Sequence, residues 1–173
     1  MYRERMETLK EWKVSKNRKP LIIRGARQVG KTWLMKEFGK LYYEKCAYIN
    51  FDNNSRMDIL FNEEFDLDRI IQGLKIESGI NIEPENTLII FDEIQETPKA
   101  LKTLKYFYEN ANEYHIVAAG SLLGVAMHQG TSFPVGKVNF MDLMPLSFFE
   151  FLDALGQEHL LNLLKNNEFD MIS

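Results

Sequence analysis

The chain has 173 residues, 45% of them hydrophobic and 12% aromatic, and a net charge of -4. That is enough apolar material to bury a core without disulfides or structural metals, and it excludes a protein held to nucleic acid or anionic membrane by bulk charge. The single cysteine, Cys46, excludes an intrachain disulfide, and no Cys/His spacing suits zinc, so a reducing, cytoplasmic setting is expected.

Met1 to Arg5 carry both charge signs and lack the apolar region of a secretory signal. The longest mostly apolar stretch, residues 116–127, is broken by Gly120, Ser121 and Gly124 and is shorter than the ~20 residues of a spanning helix, so no membrane association is expected. After a mixed-charge amphipathic opening, Pro20 to Arg24 read as a strand that ends at Gly25, and a helix is expected from Lys31 to about Gly39. Ala47 to Phe51 form the next strand candidate, and Leu67, Ile70, Ile71 and Leu74 mark one helical face. Thr87 to Phe91 are apolar without alternation, as a strand buried on both faces requires, and run straight into Asp92-Glu93. Thr97-Pro98 reads as an N-cap followed by proline at the first helical position, with Leu101, Leu104, Tyr108 and Ala111 as the apolar face. His115 to Ala119 form a further strand closing on Gly120-Ser121, and Val138 to Phe140 another. Ser147-Phe148-Phe149-Glu150 has the pattern of a capping box opening a helix to Gly156. Strands alternating with helices predict the α/β class, a mostly parallel sheet sandwiched by helices.

Gly25-Ala26-Arg27-Gln28-Val29-Gly30-Lys31-Thr32 matches the full phosphate-loop pattern between a predicted strand and a predicted helix. Its glycines let successive N–H groups face phosphate oxygens, and the helix amino terminus adds partial positive charge, so the nucleotide-holding set is residues 25 to 32 with Trp33. Lys31 would reach the β- and γ-phosphates as a catalytic cation, and Thr32 would bind Mg²⁺. Asp92, expected at the same sheet edge, is the second magnesium residue; Glu93 is the carboxylate that orients the attacking water. The plain alternatives are a glycine turn with a solvated lysine and a solvated acidic strand end; Gln95 reads as solvated. Ser121 is placed either as a sensor of the γ-phosphate or as a helix N-cap. Arg27 and Lys137 are cations that could approach the phosphates.

No arginine follows Arg69, so an arginine finger must come from an earlier position, from another chain or from sequence beyond this one, and slow hydrolysis by the chain alone is expected. Lys10, Lys13, Lys16, Arg18 and Lys19, and likewise Lys99, Lys102 and Lys105, read as solvated helix faces, with contact to nucleic acid as the alternative, not indicated but not excluded. Glu63, Glu64, Asp66 and Asp68 lack the spacing of a calcium loop.

With residues 24–32, Phe91 to Gln95, Ala119 to Gly124 and Ser132 to Lys137 in this order, the chain resembles a group of prokaryotic AAA-type P-loop ATPases. The resemblance implies a three-layer P-loop architecture, ATP and Mg²⁺ as ligands, Lys31 and Thr32 at the nucleotide and metal, Asp92 and Glu93 as the hydrolysis pair, and Ser121 at the sensor position. It also implies an ATPase core over residues 1–145 and a helical extension starting in 146–173, continuing into a carboxyl-terminal domain, with that domain, another protein or further copies of the chain as partners. A GTPase switch would need a guanine-reading N-K-x-D element, which is absent; a small-molecule kinase would need mobile lid arginines. A nucleotide-gated binding module with little turnover is the alternative from a different class.

Overall fold

The computed structural model describes residues 5–120, 136–157 and 162. Its frame is a five-stranded, all-parallel sheet: β1 (Leu21–Arg24), β2 (Lys45–Asn50), β3 (Thr87–Asp92), β4 (His115–Gly120) and β5 (Asn139–Asp142), in the order β2-β3-β4-β1-β5. Helices α1 (Arg5–Val14), α2 (Lys31–Tyr42), α3 (Ser55–Asn62), α4 (Leu67–Ser78), α5 (Pro98–Asn110) and α6 (Phe148–Ala154) complete the described elements, with a 3₁₀ turn at Ile94–Glu96. Every residue of β3 and of β4 is buried, as unbroken apolar runs between two helical layers require.

Successive side chains on a strand point to opposite faces, and the two cores follow that alternation. Ile89 and Phe91 of β3 join Ile22, Ile49 and Ile116 in a cluster closed by Met57 and Phe61 of α3, Ile70 and Leu74 of α4, and Leu104 and Phe107 of α5. Leu88 and Ile90 join Ile23, Val117 and Met141 in a second cluster, closed by Met6, Leu9 and Trp12 of α1 and Leu34, Met35 and Phe38 of α2. The result is the three-layer α/β sandwich of P-loop nucleotide-binding folds.

Several local expectations shift. Helix α2 runs on to Tyr42 instead of ending near Gly39, because Gly39 is where helix and sheet touch: a Cβ there would lie 2.7 Å from Cys46 Sγ and 3.3 Å from Leu88 Cδ2. Helix α3 is an element the hydrophobic pattern did not mark; Asn54 caps it by accepting from the Met57 N–H. Thr97 stands at the N-cap of α5, but its hydroxyl donates to Asp58 of α3, not to the helix backbone. The capping box at α6 forms as expected, with the Ser147 N–H donating to Glu150 Oε2 at 2.9 Å and the Glu150 N–H to Ser147 Oγ at 3.2 Å. Among the described residues no helix is long and apolar enough to cross a membrane.

Parallel pairing sets the geometry of the site. Arg24 is in register with Gly120 and with Asp142, and Asn50 with Asp92, so these strand ends share one edge of the sheet. Connections leaving that edge are where an open α/β sheet presents a crevice.

Candidate functional site

The loop between β1 and α2 is shaped by two glycines for different reasons. At Gly25 a Cβ would lie 2.3 Å from the Leu143 carbonyl oxygen, because the chain leaving β5 passes directly over it, anchored by the Leu143 N–H on the Arg24 carbonyl at 2.8 Å. At Gly30 the space is open and the constraint is the backbone: φ is 90°, in the left-handed region that favours glycine. Gln28, at φ 64°, occupies the same region with a side chain. Left-handed residues alternating along a loop turn successive N–H groups to one side, which makes an anion-binding concavity. Gly30 has no side chain with which to cap α2, so no N-cap side chain takes up the first N–H groups of that helix, and its first residues Lys31, Thr32 and Trp33 line the loop's cavity.

Lys31 is only 6% exposed, and its ammonium donates to the Gly25 carbonyl at 2.9 Å and the Ala26 carbonyl at 2.6 Å. Burial pulls its pKa below the ordinary lysine value, while Glu93 first and then Asp92 pull it back. Thr32 Oγ1 donates to Asp92 Oδ2 at 2.6 Å across 60 residues of sequence. Asp92 is 4% exposed and accepts two more bonds, from the Tyr48 hydroxyl at 3.0 Å and the Glu93 N–H at 3.1 Å. A buried carboxylate needs such donors to offset its lost hydration. Burial, then the charge and hydrogen bond of Asp92, hold the Tyr48 phenol well above its usual range, so it stays a donor.

Glu93 follows in the left-handed region at φ 52°, and its carbonyl accepts from the Glu96 N–H at 3.0 Å as the 3₁₀ turn closes. This reversal at the end of β3 brings Glu93 to a cavity of about 580 Å³ that Arg27, Gln28, Lys31, Thr32 and Trp33 also line. Phosphate-loop side chains and the carboxylate after β3 thus meet at one place.

Asp52 and Glu96 on the cavity wall, Tyr48 on Asp92 and Gln95 on Glu93 are contacts the sequence reading did not single out. Gln95, read as solvated, instead donates to Glu93 Oε2 at 2.6 Å. Lys137 is a correction. It precedes β5, at the end of the sheet away from the loop, and pairs with Glu109 of α5 at 3.1 Å. Strand β4 does lie beside β1, as the sensor assignment of Ser121 needs, but Ser121, with Gly124 and residues 132–135, lies outside the described residues. The basic amino-terminal stretch is less solvated than expected: Lys13 donates to the Tyr42 carbonyl, Arg18 to the Asn112 carbonyl, and Lys19 to the Gly136 carbonyl at 2.7 Å. In the acidic run, Asp66 caps α4 on the Arg69 N–H and Glu63 pairs with Arg69 at 3.2 Å.

A metal ion suited to this edge is a hard one. The available donors are oxygens, Thr32 Oγ1 and Asp92 Oδ2, and no group of three or more His, Cys, Asp or Glu side chains among the described residues could form an all-protein cage. That donor set fits Mg²⁺, which is commonly held by one or two protein oxygens together with substrate phosphates and water.

Comparison with known proteins agrees with the fold. The chain is similar in fold to the Walker-type ATPase PABY2304 of Pyrococcus abyssi, with TM-score 0.56 and 18% identity over 90% of this chain and 58% of that one. It is similar to the Aeropyrum pernix ORC2 protein in its ADP form, with TM-score 0.57 and 18% identity over 92% and 53% of the two chains. Drosophila ORC bound to DNA gives TM-score 0.58 and 16% identity over 95% and 48%. The chain therefore spans about half the length of these structures. No curated protein matches it. A family model described as an AAA domain matches residues 17–152. With the all-parallel sheet and the phosphate loop at its carboxyl edge, the chain belongs to the AAA domain family.

Proposed function

We propose that this chain binds ATP with Mg²⁺ and hydrolyses it to ADP and phosphate. The observation that carries the reading is the meeting of Lys31, Thr32 and Glu93 at one cavity, with Thr32 bonded to the buried Asp92 at 2.6 Å. Residues 25–33 cradle the phosphates through backbone N–H groups, and Lys31 exchanges its loop carbonyls for β- and γ-phosphate oxygens. Thr32 and Asp92 hold Mg²⁺, which supplies charge neutralisation on the terminal phosphates. Glu93 orients a water for in-line attack on the γ-phosphorus and accepts its proton as the bond to the bridging oxygen breaks and ADP leaves. Ser121, next after β4, is the proposed sensor of the γ-phosphate.

The nucleotide state is proposed to drive a conformational change in a partner, a further domain or neighbouring copies of the chain, with residues 1–145 as the core and 146 onward as the start of the coupling element. A cytoplasmic setting belongs to the same reading. So does slow turnover in isolation, since an arginine finger is worth a factor of about 10³–10⁵.

Binding and turnover of ATP and GTP with Mg²⁺ test the proposal, comparing wild type with Lys31→Ala and Glu93→Gln. Expected are preference for ATP, loss of binding in Lys31→Ala, and retained binding with turnover lowered about 10²-fold or more in Glu93→Gln. Failure of the wild type to bind nucleotide would sink the assignment. Binding with no turnover would favour a nucleotide-gated binding module instead.

A further inference from the structure

Gln95 makes contacts that the phosphate site does not need for binding and that the core does not need for packing. Its side-chain Nε2 donates to Glu93 Oε2 at 2.6 Å and to Glu96 Oε1 at 3.2 Å, and both carboxylates line the nucleotide cavity. The other end of the same amide, Oε1, is buried with no hydrogen-bond partner among the described residues. Turning the amide over would set Oε1 against two carboxylates, so its orientation is dictated by the carboxylates. An orphaned buried oxygen destabilises a fold, and an apolar side chain of similar size would avoid it. That cost offsets part of what the two bonds to carboxylates contribute, so stability is a weak reason for glutamine here.

We propose that Gln95 is a positioning residue for hydrolysis, holding the Glu93 carboxylate at the nucleotide cavity. The inference rests on the reading of Glu93 as the residue that orients and deprotonates that water. The backbone prepares the contact: with Glu93 in the left-handed region and the Glu96 N–H closing on its carbonyl, residues 93 and 95 fold back on one another within a single turn. That contact narrows the rotamers of Glu93 toward one attack geometry, an advantage that appears in kcat and not in nucleotide affinity. Gln95 touches neither phosphate nor metal in this assignment and acts only through Glu93.

The test compares steady-state ATP hydrolysis and urea unfolding for wild type, Gln95→Leu, Gln95→Glu and Glu93→Gln. Gln95→Leu is expected to lower kcat about tenfold while KM for ATP stays within about twofold, with an unfolding midpoint close to wild type because removal of the orphaned oxygen offsets loss of the two bonds. Gln95→Glu, isosteric but without the donor and carrying like charge, is expected to lower kcat further. Unchanged or raised kcat in Gln95→Leu overturns the inference, as does a fall in kcat accompanied by a lower unfolding midpoint, which marks a merely structural role. If Glu93→Gln is inactive while Gln95→Leu matches wild type, only the role of Gln95 fails. If Glu93→Gln retains turnover, or the wild type hydrolyses nothing, the hydrolysis reading fails and this inference fails with it.

Discussion

Asp92 shows how much of a site is set by single contacts from distant residues. Its buried carboxylate is bonded by Thr32, Tyr48 and the Glu93 N–H. Phosphate-loop and strand-end patterns announce Thr32 and Asp92, but Tyr48 lies 44 residues from Asp92 in sequence, on the neighbouring strand, and no local pattern marks it. Tyr48→Phe removes one of three donors and leaves the ring in place, where it also carries the Lys36 ammonium 3.6 Å from its centroid. The loss of one hydrogen bond to a buried charge is expected to lower stability by about 1.5–3 kcal/mol and to weaken Mg·ATP binding, since Asp92 is then less firmly held. Urea unfolding and nucleotide titration of Tyr48→Phe check both; a variant unchanged in each would mean that Tyr48 does not support Asp92. Gln95 read as solvated for a different, local reason. It stands beside Glu96 just past a strand end, and only the turn at Glu93 brings its amide onto a carboxylate.

Elements were legible where one physical requirement dominates a short stretch. The all-apolar run Thr87 to Phe91 demands burial on both faces, the phosphate-loop pattern requires a strand before and a helix after, and the Ser147/Glu150 pair caps its own helix. They were less legible where a residue answers to a neighbouring element. Gly39 resembles a helix stop, yet it lies inside α2 because β2 crowds that turn. Magnitudes decide what Gly39→Ala would do. Removing a glycine from a helix interior is worth about 0.5–1 kcal/mol, whereas forcing a methyl into packed structure costs about 1–3 kcal/mol. With Cys46 Sγ at 2.7 Å and Cys46 Cβ at 3.2 Å from the added atom, the clash falls on a short side chain that cannot swing far. Gly39→Ala is therefore expected to be destabilising by about 1 kcal/mol, and Gly39→Ala with Cys46→Ala to recover part of the loss relative to Cys46→Ala alone. A double-mutant cycle by urea unfolding measures that coupling, and additive effects would show that the helix–strand approach does not constrain position 39.

At the scale of the whole molecule, the helical layer of α1 and α2 meets the sheet around a buried histidine, and this gives folding a pH dependence of predictable sign. His115 opens β4 at 5% exposure, its Nδ1 is 2.7 Å from the Tyr43 hydroxyl, and the Trp12 ring lies edge-on at 6.2 Å. Burial, then the positive charges of Arg18 and Lys13, depress its pKa from 6.5 to about 4. The folded protein thus keeps His115 neutral at pH values where an unfolded chain would protonate it. The stabilising contribution is complete above pH 6.5, declines as pH falls because only the unfolded state gains the proton, and is lost by about pH 4, where the folded state protonates too. Across that interval it amounts to at most about 3 kcal/mol, from ~1.4 kcal/mol per pKa unit. Carboxylates begin to titrate toward the lower end, so the clean window is pH 6.5 to 5, worth about 2 kcal/mol on the same scale. His115→Gln keeps a polar group facing Tyr43 but cannot titrate, so its unfolding free energy should vary less with pH in that window than that of wild type. Parallel profiles for the two proteins would mean that His115 is not held neutral, and that the junction of α1, α2 and β4 is more open to water than its packing indicates.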